Sequence, residues 1–253
     1  MGAGATGVVV DWERRGKRRR QAGADTQINA DTPTDLAAVR AAVGDGGLVL
    51  CRVNGWGPWT AREIDLALDL GADEILLPMV RDAADVDAAL AVVGGRGPGR
   101  LGILVETVDA LRDVESLLAG RPLARVYLGL NDLRIDRRAR CLFTPLVDGT
   151  ADRVAAAARA AGVPFGVAGL TVPEGGKPVP CRLLNAALAR VGASFTFLRR
   201  SFHADVAGRD VPTEVRRILA AASAASARPP EAVDADHAEL EELVGFLSEE
   251  EAV

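Results

Sequence analysis

Seven short apolar runs recur along the chain, at residues 8–13, 48–54, 74–80, 101–106, 125–132, 164–170 and 195–202. Val, Ile and Leu occupy both parities in most of them, the pattern of parallel strands covered on both faces. Between the runs lie longer stretches with helical periodicity and recognisable starts. Thr32 with Pro33 opens one over 32–43, Thr60 one over 60–70, Asp82 one over 82–93, Thr107 one over 107–119 and Thr150 one over 150–161. Further helices are expected at about 182–191 and 212–225. Seven strand–helix units in strict alternation imply one parallel sheet with right-handed crossovers. The spacing suits an α/β barrel of the TIM type, although a doubly wound open sheet satisfies the same alternation. A closed (β/α)8 barrel needs eight strands, so the pattern is one unit short. Residues 1–227 are assigned to the barrel. Residues 228–253 read as a linker at Arg228-Pro229-Pro230, an acidic amphipathic helix over about 234–247, and a tail carrying Glu249, Glu250 and Glu251.

Composition narrows the class without naming the chemistry. The 253 residues are 49% hydrophobic and only 4% aromatic, with a formal net charge of -5. Collagen-like, disordered and disulfide-scaffold chains are excluded, and no apolar run approaches the roughly 20 residues that cross a bilayer. The acidic balance argues against a nucleic-acid partner. Cys51, Cys141 and Cys181 are far apart and form no C-x-x-C pair, which reads as reduced thiols in a cytoplasmic protein. No basic n-region precedes the first apolar run, so no signal peptide is read. Residues 2–7, G-A-G-A-T-G, match G-x-G-x-x-G. A dinucleotide loop follows a strand and opens a helix, whereas these glycines precede a strand. The same residues fit a myristoylation pattern too short to carry weight.

In a parallel α/β barrel the chemistry sits at the C-terminal ends of the strands. The polar residues closing the runs are Asp11 and Glu13, Arg52 and Asn54, Glu106 and Thr107, Asn131 and Asp132, Thr171, and Arg199 with Arg200. Glu106 and Asp132 would converge on one rim, a pair of hard oxygen donors suited to Mg²⁺; each could equally be a helix cap or a loop ion pair. The only histidines, His203 and His237, do not have ligand spacing. Arg52 would aim a planar cationic fork at the same mouth. The run from Arg14 to Arg20 holds five arginines and Lys17; it reads as a solvated loop or as an anion-binding segment, and it lacks the interleaved aromatics of a nucleic-acid patch. The Gly/Pro-rich stretch 170–180 is either a mobile lid or a rigid connection. Trp56 and Trp59 wall the mouth or cover the core.

Several segments together resemble the 4-hydroxy-2-oxoheptanedioate aldolase and citrate lyase beta-subunit family. They are V-V-V-D-W-E (8–13), L-C-R-V-N (50–54), G-A-D-E-I-L-L-P-M-V (71–80), G-I-L-V-E-T (102–107) and V-Y-L-G-L-N-D-L (126–133). The resemblance implies a barrel lyase in which Glu106 and Asp132 bind Mg²⁺ or Mn²⁺ and Arg52 holds a 2-oxo acid and its enolate. It implies that the backbone amides of Gly129, Leu130 and Asn131 face the substrate carboxylate, and that Glu13 orders metal-bound water. The expected activity is carbon–carbon cleavage of aldolase type, in a homo-oligomer. The alternatives are a citrate-lyase-like acyl-CoA lyase or thioesterase, and a barrel that has lost catalysis and binds a ligand or partner. One departure matters for proton transfer. The aldolase branch places a histidine base just after the glutamate, whereas Glu13 precedes Arg14 and Arg15. Against the family, residues 2–7 match the end of the first helix. The expectation is therefore a start site assigned too late, or a barrel closed by a partner chain.

Overall fold

The apolar runs fold into seven parallel strands: β1 Gly7–Asp11, β2 Leu48–Arg52, β3 Glu74–Leu77, β4 Leu101–Val105, β5 Arg125–Leu128, β6 Phe165–Leu170 and β7 Phe195–Leu198. They pair in sequence order in one sheet. The structure, a computed structural model, describes residues 3–17 and 30–250. The helices are α1 Pro33–Val43, α2 Thr60–Asp69, α3 Ala83–Val93, α4 Val108–Arg112, α5 Val114–Leu118, α6 Leu130–Arg137, α7 Thr150–Ala161, α8 Cys181–Val191, α9 Phe202–Asp205, α10 Val211–Ser226 and α11 Pro230–Glu250. The curled sheet and its helices are consistent with a TIM-like barrel. Among the described residues, no pairing joins β7 back to β1.

Local chemistry explains most of the helix starts. Thr32 and Asp35 form a reciprocal capping box ahead of Pro33. Asp82 caps α3, Thr107 caps α4 and Asp210 caps α10 through first-turn amides. Thr60 is inside its helix rather than before it, and its hydroxyl donates to the Gly55 carbonyl at 2.9 Å. The stretch expected as one helix over 107–119 divides at Asp113, whose φ of -125° and ψ of 34° leave the helical region. The run read as one strand over 125–132 is a strand followed by a helix. Val126 through Leu130 stay apolar across the boundary, so only Gly129 marks it. Asn131 and Asp132 then stand in the first turn of α6, where the helix dipole favours acidic and polar groups.

Alternation along the strands separates two layers. Residues such as Val49, Cys51, Ile75, Ile103 and Val126 face the helices and join the main core. The opposite parity supplies a distinct cluster of Leu50, Leu76 and Leu104, packed by Val9, Tyr127 and Phe197. Toward the N-terminal ends of the strands this apolar waist meets a part-buried ion pair. Arg125 donates to both Glu74 oxygens at 2.5 and 2.8 Å, and its guanidinium lies 4.8 Å from the Phe195 ring centroid. Gly102 makes room for the pair, since a Cβ there would lie 2.7 Å from Glu74 Oε1 and 2.8 Å from Arg125 Cγ.

Outside the sheet, α10 reaches the segment ahead of β1, where a Cβ on Gly4 would meet Leu219 at 2.7 Å. Helix α11 lies against α8, burying Leu240 and Val244, and Arg182 of α8 pairs with Asp236 and Glu239. Cys51, Cys141 and Cys181 are buried and free. No helix of the described chain is long and apolar enough to cross a membrane.

The interior ion pair yields a stability test. Arg125→Met strands the Glu74 carboxylate, which burial already pushes above its usual range against the opposing pull of Arg125. The expected loss is ~3–5 kcal/mol in urea unfolding at neutral pH. The double variant Glu74→Leu/Arg125→Met should recover most of it, and equal instability of the two variants would refute the pairing.

Candidate functional site

The ends of β1 and β2 bring the first charged groups together. Asp11 and Arg52 are register partners, and Arg52 donates from Nε and Nη2 to the two Asp11 oxygens at 2.8 and 2.6 Å. Beyond β1 the chain turns sharply. Glu13 donates its amide to Asp11 Oδ1 at 3.1 Å, and the amides of Arg14 and Arg15 both donate to Asn54 Oδ1. Asn54 is itself held by the Trp12 carbonyl and the Glu63 carboxylate. The turn returns Lys17 to the interior, with Nζ 3.0 Å from Glu13 Oε2 and 3.3 Å from Asp11 Oδ2. Arg52 Nη1 is 3.5 Å from the same Glu13 oxygen. Asp11, Glu13 and Lys17 are all at most 2% exposed.

The second half of the site comes from β4, β5 and α6. Glu106 follows β4, and its Oε1 accepts the Met79 amide at 2.9 Å. Met79 adopts a φ of 56°, a region most side chains avoid, and in that conformation it aims its N–H at the carboxylate. Gly129 faces Glu106 so closely that a Cβ would lie 2.3 Å from Oε2; a glycine is required here for space, since its φ is an ordinary -83°. Asp132, the third residue of α6, is buried.

These groups share one electrostatic field. Burial, the Asp132 charge and the Glu13 charge push Glu106 up to about 8, only partly offset by Arg52 and the Met79 amide. Burial would raise Asp11 too, but the Arg52 fork and the Lys17 charge hold it below its usual value. Arg52 is held above its usual value by Asp11, Glu13 and Glu106, despite burial acting the other way. Two buried carboxylates that repel each other, both hard oxygen donors, suit a divalent cation that completes its shell with water and substrate oxygens. The close seat of Glu106 over Gly129 fixes one donor. Among the described residues no cluster of three or more His, Cys, Asp or Glu is arranged to hold a metal.

The sequence therefore identifies Arg52, Glu13, Glu106 and Asp132 as neighbours, and the structure brings them into one field. Gly129 is a correction to the expected amide trio. Its N–H donates to the Val105 carbonyl at 3.0 Å, leaving Leu130 and Asn131 in the first helical turn, where amides lack intrahelical acceptors. Asp11 and Lys17 carry roles that the sequence reading did not assign. Asp11 was visible as an inward position two residues before Glu13; Lys17 was hidden inside an arginine run.

Other candidates fall outside the charged centre. Thr107 caps α4, and Asn54 pins the turn after β1. Arg14 and Arg15 are exposed, with Arg15 stacked 4.3 Å from the Trp59 ring. Arg18, Arg19 and Arg20 lie outside the described residues. Trp59 lines an open surface cavity with Pro58 and Leu66, while Trp56 packs on the core. The stretch 170–180 is tied down rather than loose. Glu174 accepts from Arg209 at 2.7 Å and from Arg217 at 2.9 Å, and Arg199 donates to the Lys177 carbonyl at 3.0 Å.

Comparison with known proteins bears on the family and the fold. The HpcH/HpaI aldolase/citrate lyase family profile matches residues 3–168. Among solved structures, RipC from Yersinia pestis is similar at a TM-score of 0.60 and 18% identity, covering 91% of this chain and 93% of that one. An HpcH/HpaI aldolase from Desulfitobacterium hafniense DCB-2 gives 0.56 and 16%, covering 90% and 95%. An aldolase/citrate lyase family protein from Burkholderia cenocepacia J2315 gives 0.60 and 20%, covering 85% and 87%. At these identities the likeness is one of fold. No curated protein sequence matches the chain.

The Glu106 environment predicts a pH dependence. Its folded value of about 8 exceeds the ordinary 4.5, so the folded state binds the proton more tightly than the unfolded state. That contribution is full below pH 4.5 and is lost as pH rises through about 8. In the presence of a chelator, the wild-type Tm should fall across this window more steeply than that of Glu106→Gln. Parallel Tm profiles would contradict the assignment.

Proposed function

The chain belongs to the HpcH/HpaI aldolase/citrate lyase family, and from that footing we propose that it is a divalent-metal-dependent carbon–carbon lyase of aldolase type acting on a 2-oxo acid. The observation that carries the reading is the buried Glu106–Asp132 pair beside the Arg52 fork, with Glu106 pushed up to about 8 by burial and by Asp132. Mg²⁺ or Mn²⁺ held by the two carboxylates would supply Lewis-acid polarisation of the 2-oxo group.

The chain's own residues supply the rest. Arg52, fixed by Asp11, directs its remaining N–H groups at the substrate oxygen on which negative charge grows during cleavage. The first-turn amides of Leu130 and Asn131 suit the substrate carboxylate, which the positive end of α6 favours. Glu13 lies against Arg52 and Lys17 and orders water at the centre. In the cleavage of a 4-hydroxy-2-oxo acid, the hydroxyl proton passes to a water that Glu13 orders as the C–O bond becomes a carbonyl. The C3–C4 bond breaks, and its electron pair forms the enolate of the smaller 2-oxo acid. Protonation at C3 then releases the product.

A citrate-lyase-like reaction on an acyl-CoA is the second reading. Arginines follow Glu13 where the aldolase branch has histidine, and the segment Asp11-Trp12-Glu13, with Lys17 further on, leans toward the citrate-lyase-like branch. We assign the catalytic unit to residues 1–227, with 228–253 as a linker, an acidic helix and a tail, the helix lying against α8, and expect a homo-oligomer with a small-molecule substrate.

Calorimetric titration with Mg²⁺ and Mn²⁺ tests the reading. The wild type should bind at least one of them, and Glu106→Ala/Asp132→Ala should bind neither measurably. Equal binding by the two proteins would end the metalloenzyme assignment. Arg52→Lys should lower turnover of a 4-hydroxy-2-oxo acid by about 10²-fold or more, because an ammonium does not reproduce the planar fork; pyruvate release in a coupled assay measures it.

A further inference from the structure

Lys17 departs from the run that contains it. Arg14 and Arg15 are exposed, whereas Lys17 is 1% exposed, a state lysine rarely adopts without a charged partner. Its ammonium sits between the two carboxylates that clamp Arg52, 3.3 Å from Asp11 Oδ2 and 3.0 Å from Glu13 Oε2. Arg52 approaches the same Asp11 oxygen at 2.6 Å and the same Glu13 oxygen at 3.5 Å. The two cations therefore share two carboxylates.

We propose that Lys17 is a positioning residue of the substrate site, which draws Asp11 and Glu13 charge away from Arg52 so that the arginine keeps a positive field for an anionic substrate. The proposal rests on Arg52 as the substrate-holding arginine of the lyase reading. An arginine clamped by carboxylates is well oriented, but its charge is largely cancelled at a distance. Glu106 and Asp132 add negative charge nearby, and a 2-oxo acid arrives as an anion. A second buried cation on the far side of the clamp offsets the surplus while leaving the fork geometry intact. The turn through Arg14 and Arg15, pinned on Asn54, places it there.

The role is electrostatic, and charge arithmetic separates it from simple support of the turn. Oxalate, a planar dianion resembling the enolate of pyruvate, is titrated into the full-length protein in Mg²⁺, with near-ultraviolet circular dichroism reporting folding. Lys17→Met should raise the oxalate Kd by about tenfold or more. Lys17→Arg, which keeps the charge, should restore it to within about threefold, and the neutral Lys17→Gln, which keeps a hydrogen-bond donor for the carboxylates, should lose as much as Lys17→Met. If the methionine variant does not fold, the arginine and glutamine variants carry the test. A folded Lys17→Met that binds oxalate like the wild type would overturn the proposal alone. So would a folded Lys17→Arg binding ten times more weakly than wild type, which would make the role structural. A wild type that binds no oxalate would sink the lyase reading and this proposal with it.

Discussion

The bidentate pair of Asp11 with Arg52 is the interaction on which the site depends. It joins the ends of two adjacent strands at a register pair, so the guanidinium plane is fixed by the sheet itself rather than by a loop. A part-buried arginine with an imperfect partner is costly, because taking the charges out of water exceeds the attraction recovered unless the geometry is good. Here both Asp11 oxygens are used, at 2.8 and 2.6 Å. The neighbouring charges then arrange themselves around a cation that cannot swing.

The apolar waist of the sheet gives that charge layer its strength. Leu50, Leu76 and Leu104, with Val9, Tyr127 and Phe197, separate the Asp11–Arg52 layer from the Glu74–Arg125 pair nearer the N-terminal ends. Low polarisability beneath the carboxylates strengthens every interaction above. It is the same physics that drives Glu106 up to about 8. Two glycines accommodate the charged layers without voids. Gly102 leaves space for Arg125 against Glu74, and Gly129 for the carboxylate of Glu106. At both positions the missing side chain is filled by a charged neighbour.

Much of this was legible along the chain. The β-branched runs located all seven strands, because parallel strands buried on both faces need apolar residues at both parities. Thr32, Asp82 and Thr107 marked helix starts through side-chain acceptors that work locally. The failures share a cause. At Gly129 the apolar pattern passes from strand to helix unbroken, so the first three residues of α6 were read as strand. At Asp113 a helical pattern is interrupted by backbone angles that no residue type there announces. Lys17 was submerged among arginines, and nothing local says which member of a basic run turns inward. Its interval of four from Glu13 was a hint.

The sequence by itself determined the order and type of the elements, the parallel sheet, and the strand ends that carry Glu13, Arg52 and Glu106, because these follow from local periodicity and from the residues that interrupt it. Its family motifs also marked Asp132 as part of the site. Tertiary structure alone decided which charges face one another and which share a partner. That Asp11 belongs to Arg52, that Lys17 is buried between two carboxylates, and that the Gly129 amide is already taken by Val105 depend on register between strands and on the turn after β1. Distances of a few ångströms in a medium of low polarisability set these energies, and one-dimensional spacing does not specify them.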